Sequence, residues 1–131
     1  GMIDKPLKKD SATGLVSVCP IKDGGKTAIT KYKTLKVCSG FSLVEVELLT
    51  GRTHQIRAHF ASIGHPIIGD GKYGDFATNR DIKAKFGLSY QFLHAYKMSF
   101  GNPEYPLEYL AGKEFVSEMT KEESSLLSVL F

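Results

Sequence analysis

The sequence predicts an α+β fold: a mixed, largely antiparallel sheet with flanking helices. Three observations predict it. Residues 26–37 and 40–49 read as two long strands, and Cys38-Ser39-Gly40 is short enough to join them as an antiparallel hairpin. After Thr53, apolar residues recur at helical spacing. Hairpin strands are mixed with separate helices, without the strict alternation that builds a parallel α/β sheet.

The elements follow in chain order. Residues 1–14 are polar and lysine-rich and read as an arm or loop. Residues 15–21 are a short apolar stretch containing Pro20, as in an edge strand. Asp23-Gly24-Gly25 marks a turn. In the second long strand Val44, Val46 and Leu48 share one face, and Glu45 and Glu47 the other. Thr53 stands where a helix N-cap is expected. Ile56, His59, Phe60 and Ile63 then fall at i, i+3, i+4 and i+7 and form one buried face. Residues 64–79 are a long loop with four glycines and a proline. A short helix over 78–86 stops at Gly87, and residues 90–100 read as a further strand. Thr120 and Glu123 form a capping box for a last helix with Leu126, Leu127 and Leu130 on its apolar side.

At 131 residues the chain is at most one domain, and long enough to bury a core. Its 42% hydrophobic and 24% charged residues are ordinary for a soluble globular protein. The net charge of +3 and pI of about 8.8 are mildly basic, which admits nucleic acid as a partner without requiring it. Cys19 and Cys38 make no C-x-x-C pair and no metal spacing. They point to a reducing, cytoplasmic setting, with both thiols buried as small hydrophobes. There is neither a signal peptide nor an apolar run of membrane-spanning length, so no membrane partner is expected.

The densest chemistry lies in residues 51–74, GRTHQIRAHFASIGHPIIGDGKYG. Arg52, His54 and Arg57 fall within six residues at the start of the expected helix. The positive end of a helix dipole disfavours cations, so such a cluster makes sense if it faces a phosphate or a carboxylate. The planar fork of arginine binds either in bidentate fashion. Solvated residues on a helix end are the alternative. Gly69, Gly71 and Gly74 satisfy G-x-G-x-x-G, but no buried strand precedes them and polar residues follow. They are read as loop glycines, not as a dinucleotide site. His54 and His59 lie five apart, about 140° around a helix, which is not a zinc pair. His65 and His94 add no ligand spacing, so no metal is expected. His54 is expected to bond locally, and His94 to be a satisfied core histidine. Thr53 and Gln55 can bond a base or a phosphate, with helix capping and a surface amide as their structural alternatives. Lys31 and Lys33 share a strand face that can track a nucleic-acid backbone or simply be solvated. Tyr73, Phe76, Tyr90 and Phe92 are stacking candidates by type, although most aromatics are core.

GRTHQIR, a helix and then GHPIIGDGKYG resemble, in order and spacing, a motif of the RluA-type RNA pseudouridine synthases. GGKTAITKYKTL before them and QFLHAYKMSF after them resemble the same family, and together they cover most of residues 24–100. The resemblance implies isomerisation of uridine to pseudouridine in structured RNA, rRNA or tRNA, without a cofactor. Arg57 matches the family's basic residue that pairs with the nucleophilic aspartate. Ile56 matches the apolar wall of the uracil pocket. Arg52, Thr53, His54 and Gln55 are the other candidate substrate-binding residues, shaping the site or holding phosphate.

The family's aspartate lies in a motif, R-L-D-x-x-T-S-G, upstream of these segments. Asp4 and Asp10 have no Arg-Leu before them, and Thr13-Gly14-Leu15 echoes only the motif's end. The base-packing tyrosine belongs to the same upstream part. Residues 1–131 are therefore expected to be a single partial domain, the C-terminal half of a catalytic domain, inactive alone. Its expected partners are RNA and the N-terminal half of the same enzyme. The rival expectation is a non-catalytic RNA-binding or partner-binding fragment. An R-L-D motif just ahead of residue 1 in the gene would mark a piece of the enzyme. Lacking the aspartate, Arg57 should be exposed, hold an anion or pair with another carboxylate, and Arg57→Leu should damage the chain little.

Overall fold

The computed structural model describes residues 1–131. Three short strands come first: β1 (Met2–Asp4), β2 (Leu7–Lys9) and β3 (Val16–Val18). Two long ones follow, β4 (Ile29–Cys38) and β5 (Phe41–Leu48), then helices α1 (Gln55–Ser62) and α2 (Phe76–Phe86). Strands β6 (Lys97–Ser99) and β7 (Glu114–Val116) and helix α3 (Lys121–Leu130) complete the chain. Every strand pair is antiparallel, in sheets ordered β1-β4-β5, β2-β3 and β6-β7. This is the expected α+β architecture. By contacts, Gly1–Phe92 with Leu130–Phe131 form one unit and Leu93–Val129 a second. No helix is long and apolar enough to cross a membrane.

The hairpin β4–β5 forms as expected. Ser39 and Gly40 both take positive φ, 50° and 81°, as a two-residue turn matched to strand twist requires. Register sets Lys31 opposite Glu47 and Lys33 opposite Glu45. Opposite charges across an antiparallel pair attract, so this face is a balanced, solvated ladder and no basic track for a nucleic acid. Cys38, at the hairpin end, is exposed, and Cys19 is only half-buried, so neither thiol is the buried hydrophobe expected.

Residues 1–14 are not an arm. Strand β1 adds to the sheet edge through Met2↔Lys31, Ile3↔Thr30 and Asp4↔Ile29, and β2 pairs with β3. Each of these three-residue strands buries one apolar side chain: Ile3, Leu7 or Val16. One inward residue per strand leaves no alternation to read. The strand expected over 90–100 shrinks to β6. His94 lies outside it, half-buried. Its Nε2 donates to the Ser117 carbonyl at 3.0 Å, and its Nδ1 lies 3.3 Å from Glu123.

Helix α2 starts two residues before the expected Thr78, because Asp75 caps it by accepting from the Thr78 amide at 2.7 Å. It stops at Gly87, with φ 71°. The capping box of α3 is present: the Thr120 amide donates to Glu123 at 2.8 Å, and the Glu123 amide to Thr120 Oγ1 at 3.2 Å.

Helix α1 is held by apolar packing and by a buried polar network. Ala58 packs with Leu7, Val16 and Ala28, with Tyr73 against the cluster. Phe60 meets Tyr32 edge to face, centroids 5.4 Å apart. The network begins at Gln55, which is 3% exposed. Its amide nitrogen donates to the Ile29 carbonyl and to Thr30 Oγ1, both at 3.0 Å. Its carbonyl accepts from Thr50 Oγ1 at 2.8 Å and from the Arg52 amide at 3.0 Å. His59 Nε2 faces the Lys5 carbonyl at 2.9 Å, an acceptor only, so this nitrogen carries the proton. His59 Nδ1 therefore accepts the Thr30 hydroxyl proton at 2.8 Å. One directed chain of protons thus ties α1 to β4 and to the segment after β1.

Replacing Gln55 by Leu keeps the volume and strips partners from several buried polar groups. We expect a loss of about 3 kcal/mol in urea denaturation, while Thr53→Ala stays within about 0.5 kcal/mol of wild type.

Candidate active site

The segment from Gly51 enters α1 without the cap expected of Thr53. That residue is exposed, and no side chain caps the helix. The N-cap position falls to His54, whose φ of 49° lies in the left-handed region. A non-glycine residue there is uncommon and costs local stability. The reversal sends neighbouring side chains to different destinations. Gln55 turns into the buried network, so it is neither a surface amide nor open to a base. Arg52 Nε donates to the Thr27 carbonyl at 2.9 Å, which turns its fork toward backbone. Ile56 is half-buried. Of the six candidates, only His54 and Arg57 are brought together, and both meet Tyr73.

Arg57 makes a bidentate pair with Asp70: Nε to Oδ2 at 2.7 Å and Nη2 to Oδ1 at 2.8 Å. The Asp70 side chain is fully buried and that of Arg57 is 14% exposed. Asp70 Oδ1 also accepts from the Lys72 and Tyr73 amides, at 2.9 and 3.1 Å. Arg57 Cζ lies 5.1 Å from the Tyr73 ring centroid, within cation–π range. One edge and one face of the guanidinium are thus fixed. Nη1 makes no hydrogen bond within the chain.

Burial alone would raise the Asp70 pKa. The Arg57 bonds and the two amides more than offset it and bring the carboxyl down to about 2. The same pairing raises the Arg57 pKa.

Tyr73 links this pair to His54. The Val16 amide donates to the Tyr73 hydroxyl at 2.9 Å, and the hydroxyl lies 2.9 Å from His54 Nδ1. Having accepted from Val16, the hydroxyl spends its one proton on His54. Nδ1 therefore accepts, and the proton of neutral His54 sits on Nε2. Burial, then the nearby Arg57 and Lys72 cations, lower the His54 pKa and keep it in that neutral form at pH 7.

The loop carrying Asp70 and Tyr73 is stapled to α2. Asn79 accepts from the Gly69 amide at 2.7 Å, and its Nδ2 donates to the Asp70 carbonyl at 2.9 Å. The G-x-G-x-x-G glycines serve this packing. Gly69 has φ 76°, and a Cβ on Gly74 would strike the Asp70 carbonyl. Asp70 and Tyr73 are the site residues that the reading of the arginine motif left out. Their one signal was their place in the same GDGKYG stretch.

The bidentate pair reverses the expectation for Arg57→Leu. Removing the guanidinium strands a buried carboxylate, so we expect a loss of about 3–5 kcal/mol near neutral pH. Because the Asp70 pKa is depressed, its stabilisation is full above the ordinary carboxyl pKa and fades as pH falls through about 2. The stability gap between wild type and Arg57→Leu should therefore close from about pH 4 to about pH 2, as measured by denaturant midpoints.

Comparison with known proteins adds to this geometry. A family model described as RNA pseudouridylate synthase matches residues 1–62. Ribosomal large subunit pseudouridine synthase D of Zymomonas mobilis is 34% identical over 134 residues, covering 99% of this chain and 40% of that protein. Ribosomal large subunit pseudouridine synthase C of Vibrio cholerae is 37% identical over 102 residues, covering 78% of this chain and 31% of that protein. The solved structure of Human RNA Pseudouridylate Synthase Domain Containing 4 superposes with a TM-score of 0.65 at 25% identity, covering 99% of this chain and 56% of that chain. The chain spans about a third of the length of the curated relatives it matches.

Proposed function

The chain belongs to the RNA pseudouridylate synthase family, and from that premise we propose that it is the C-terminal half of a catalytic domain that isomerises uridine to pseudouridine in structured RNA, rRNA or tRNA. One observation carries the assignment of Arg57. Its guanidinium is held on one edge by Asp70 and on one face by Tyr73, and Nη1 is left uncommitted within the chain. Such an arginine is pre-oriented to receive one further anion. In the complete enzyme that anion is the nucleophilic aspartate, supplied by the N-terminal half. Arg57 then keeps this carboxylate ionised and oriented by donating to it. The aspartate attacks the uridine, the glycosidic bond breaks, and the base rejoins through C5. A uridine stacked in RNA must first be turned out to be reached. Ile56 walls the uracil pocket. Arg52 and Thr53 shape the rim, and Gln55 acts only by holding the fold of the segment. No cofactor takes part.

Neither carboxylate near this segment fits the nucleophile's task. Both oxygens of Asp70 are engaged and its side chain is fully buried. Asp75 is committed to capping α2. The 131-residue chain, incubated with total RNA, should therefore form no pseudouridine by mass spectrometry. Turnover above an Arg57→Ala control would overturn this reading and place the nucleophile within the chain.

A further inference from the structure

Lys9 and Lys72 have no part in the reading above, yet both converge on Tyr73. Lys9 stands opposite Val16 in the β2–β3 ladder, and the Val16 amide donates to the Tyr73 hydroxyl. Strand alternation puts Lys9 on the face of Leu7, which packs in the core cluster beside Tyr73. Lys8 turns the other way, its Nζ donating to the Asp23 carbonyl at 2.8 Å. Lys72 precedes Tyr73, and its amide is fixed on Asp70. His54 spends Nδ1 on the Tyr73 hydroxyl, which turns its Nε2–H away from that ring. Strand β2, the approach to α1 and the Asp70 loop thus bring three donors to one place.

The charges there do not cancel. The charged groups acting on His54 are Arg57, Lys72, Asp70 and Lys9. Asp70 is the one acid among them, and it is matched by Arg57. Neither Lys9 nor Lys72 forms an ion pair. Two ammonium groups and a neutral N–H donor remain, carried on separate elements. Lysines act as point charges, and three donors from different directions suit a tetrahedral anion better than a planar one.

We infer that Lys9, Lys72 and the Nε2–H of His54 form a binding site for a backbone phosphate of RNA, beside Arg57. The inference rests on RNA as the substrate and adds where its backbone is gripped. A phosphate at this place offsets the cations that hold His54 neutral, so its binding and His54 protonation favour each other.

Inorganic phosphate titrated into the 131-residue chain at low salt, followed by histidine-ring NMR, tests the site. The His54 ring resonances should shift saturably, and the His54 pKa should rise with phosphate. The double substitution Lys9→Ala, Lys72→Ala should weaken phosphate binding about fivefold or more, since two ammonium contacts are lost. His54→Asn, which tolerates the left-handed backbone, should weaken it with the fold kept, as judged by the remaining resonances. With a uridine oligonucleotide, the slope of log K against log salt should fall by about 1.4 in the lysine double variant, about 0.7 per phosphate contact. No saturable shift, phosphate binding unchanged in the double variant, or an unchanged RNA salt slope would each overturn the site. None of these readouts involves turnover. A complete enzyme that forms no pseudouridine, alongside normal phosphate and RNA binding here, would sink the reaction and leave the site standing.

Discussion

The buried amide of Gln55 is the constraint on which the rest of this structure depends. A glutamine side chain offers two donors and two acceptor positions, and here all four are used. Its partners come from β4, from Thr50 just after β5, and from the turn that opens α1. An amide satisfied this fully costs little to bury, and left half-satisfied it would cost a great deal. The network therefore admits one placement of α1 against the sheet. Thr30 extends it to His59, and His59 to the Lys5 carbonyl, so the segment after β1 is fixed by the same protons.

Where local chemistry decides an element, the sequence showed it. The hairpin turn, the glycine stop of α2 and the capping box of α3 each depend on residues within four positions of one another, and each is present. Elements decided by distant partners were hidden. The three-residue strands β1, β2 and β3 exist because β4 and each other supply the pairing. The stretch 90–100 carries strand-forming residues, but only β6 finds a partner, β7. Thr53 has the residue type of a cap and no role as one, because the long-range bonds of Gln55 set the backbone there. In the site, Arg57 was legible from the motif. Its pairing with Asp70, thirteen positions on, was not, since either carboxylate of the loop had the reach by type.

The Arg57–Asp70 pair also settles how an arginine sits near the positive end of a helix. The dipole disfavours the cation there, and the buried carboxylate offsets it. A consequence concerns the strength of Arg57 toward a second anion. Its positive charge is already matched, so attraction at long range is weak. What the residue retains is direction: a donor edge held in a fixed plane by a carboxylate and an aromatic face. An oriented donor acts on a carboxylate at contact distance, and leaves long-range attraction to other cations.

Those other cations lie around the same tyrosine. His54 and Gln55 are adjacent, yet the left-handed backbone at His54 sends one side chain to Tyr73 and the other into the core network. The strain at His54 is thus the link between what holds α1 in place and what shapes the site. With an ordinary helical backbone at that position, the two side chains could not both reach their partners. Tyr73 would lose the acceptor for its proton, and Arg57 would lose the hydrogen-bonded anchoring of the ring beneath it. The fold tolerates a conformational cost at one residue because two networks, one structural and one chemical, draw on the same turn.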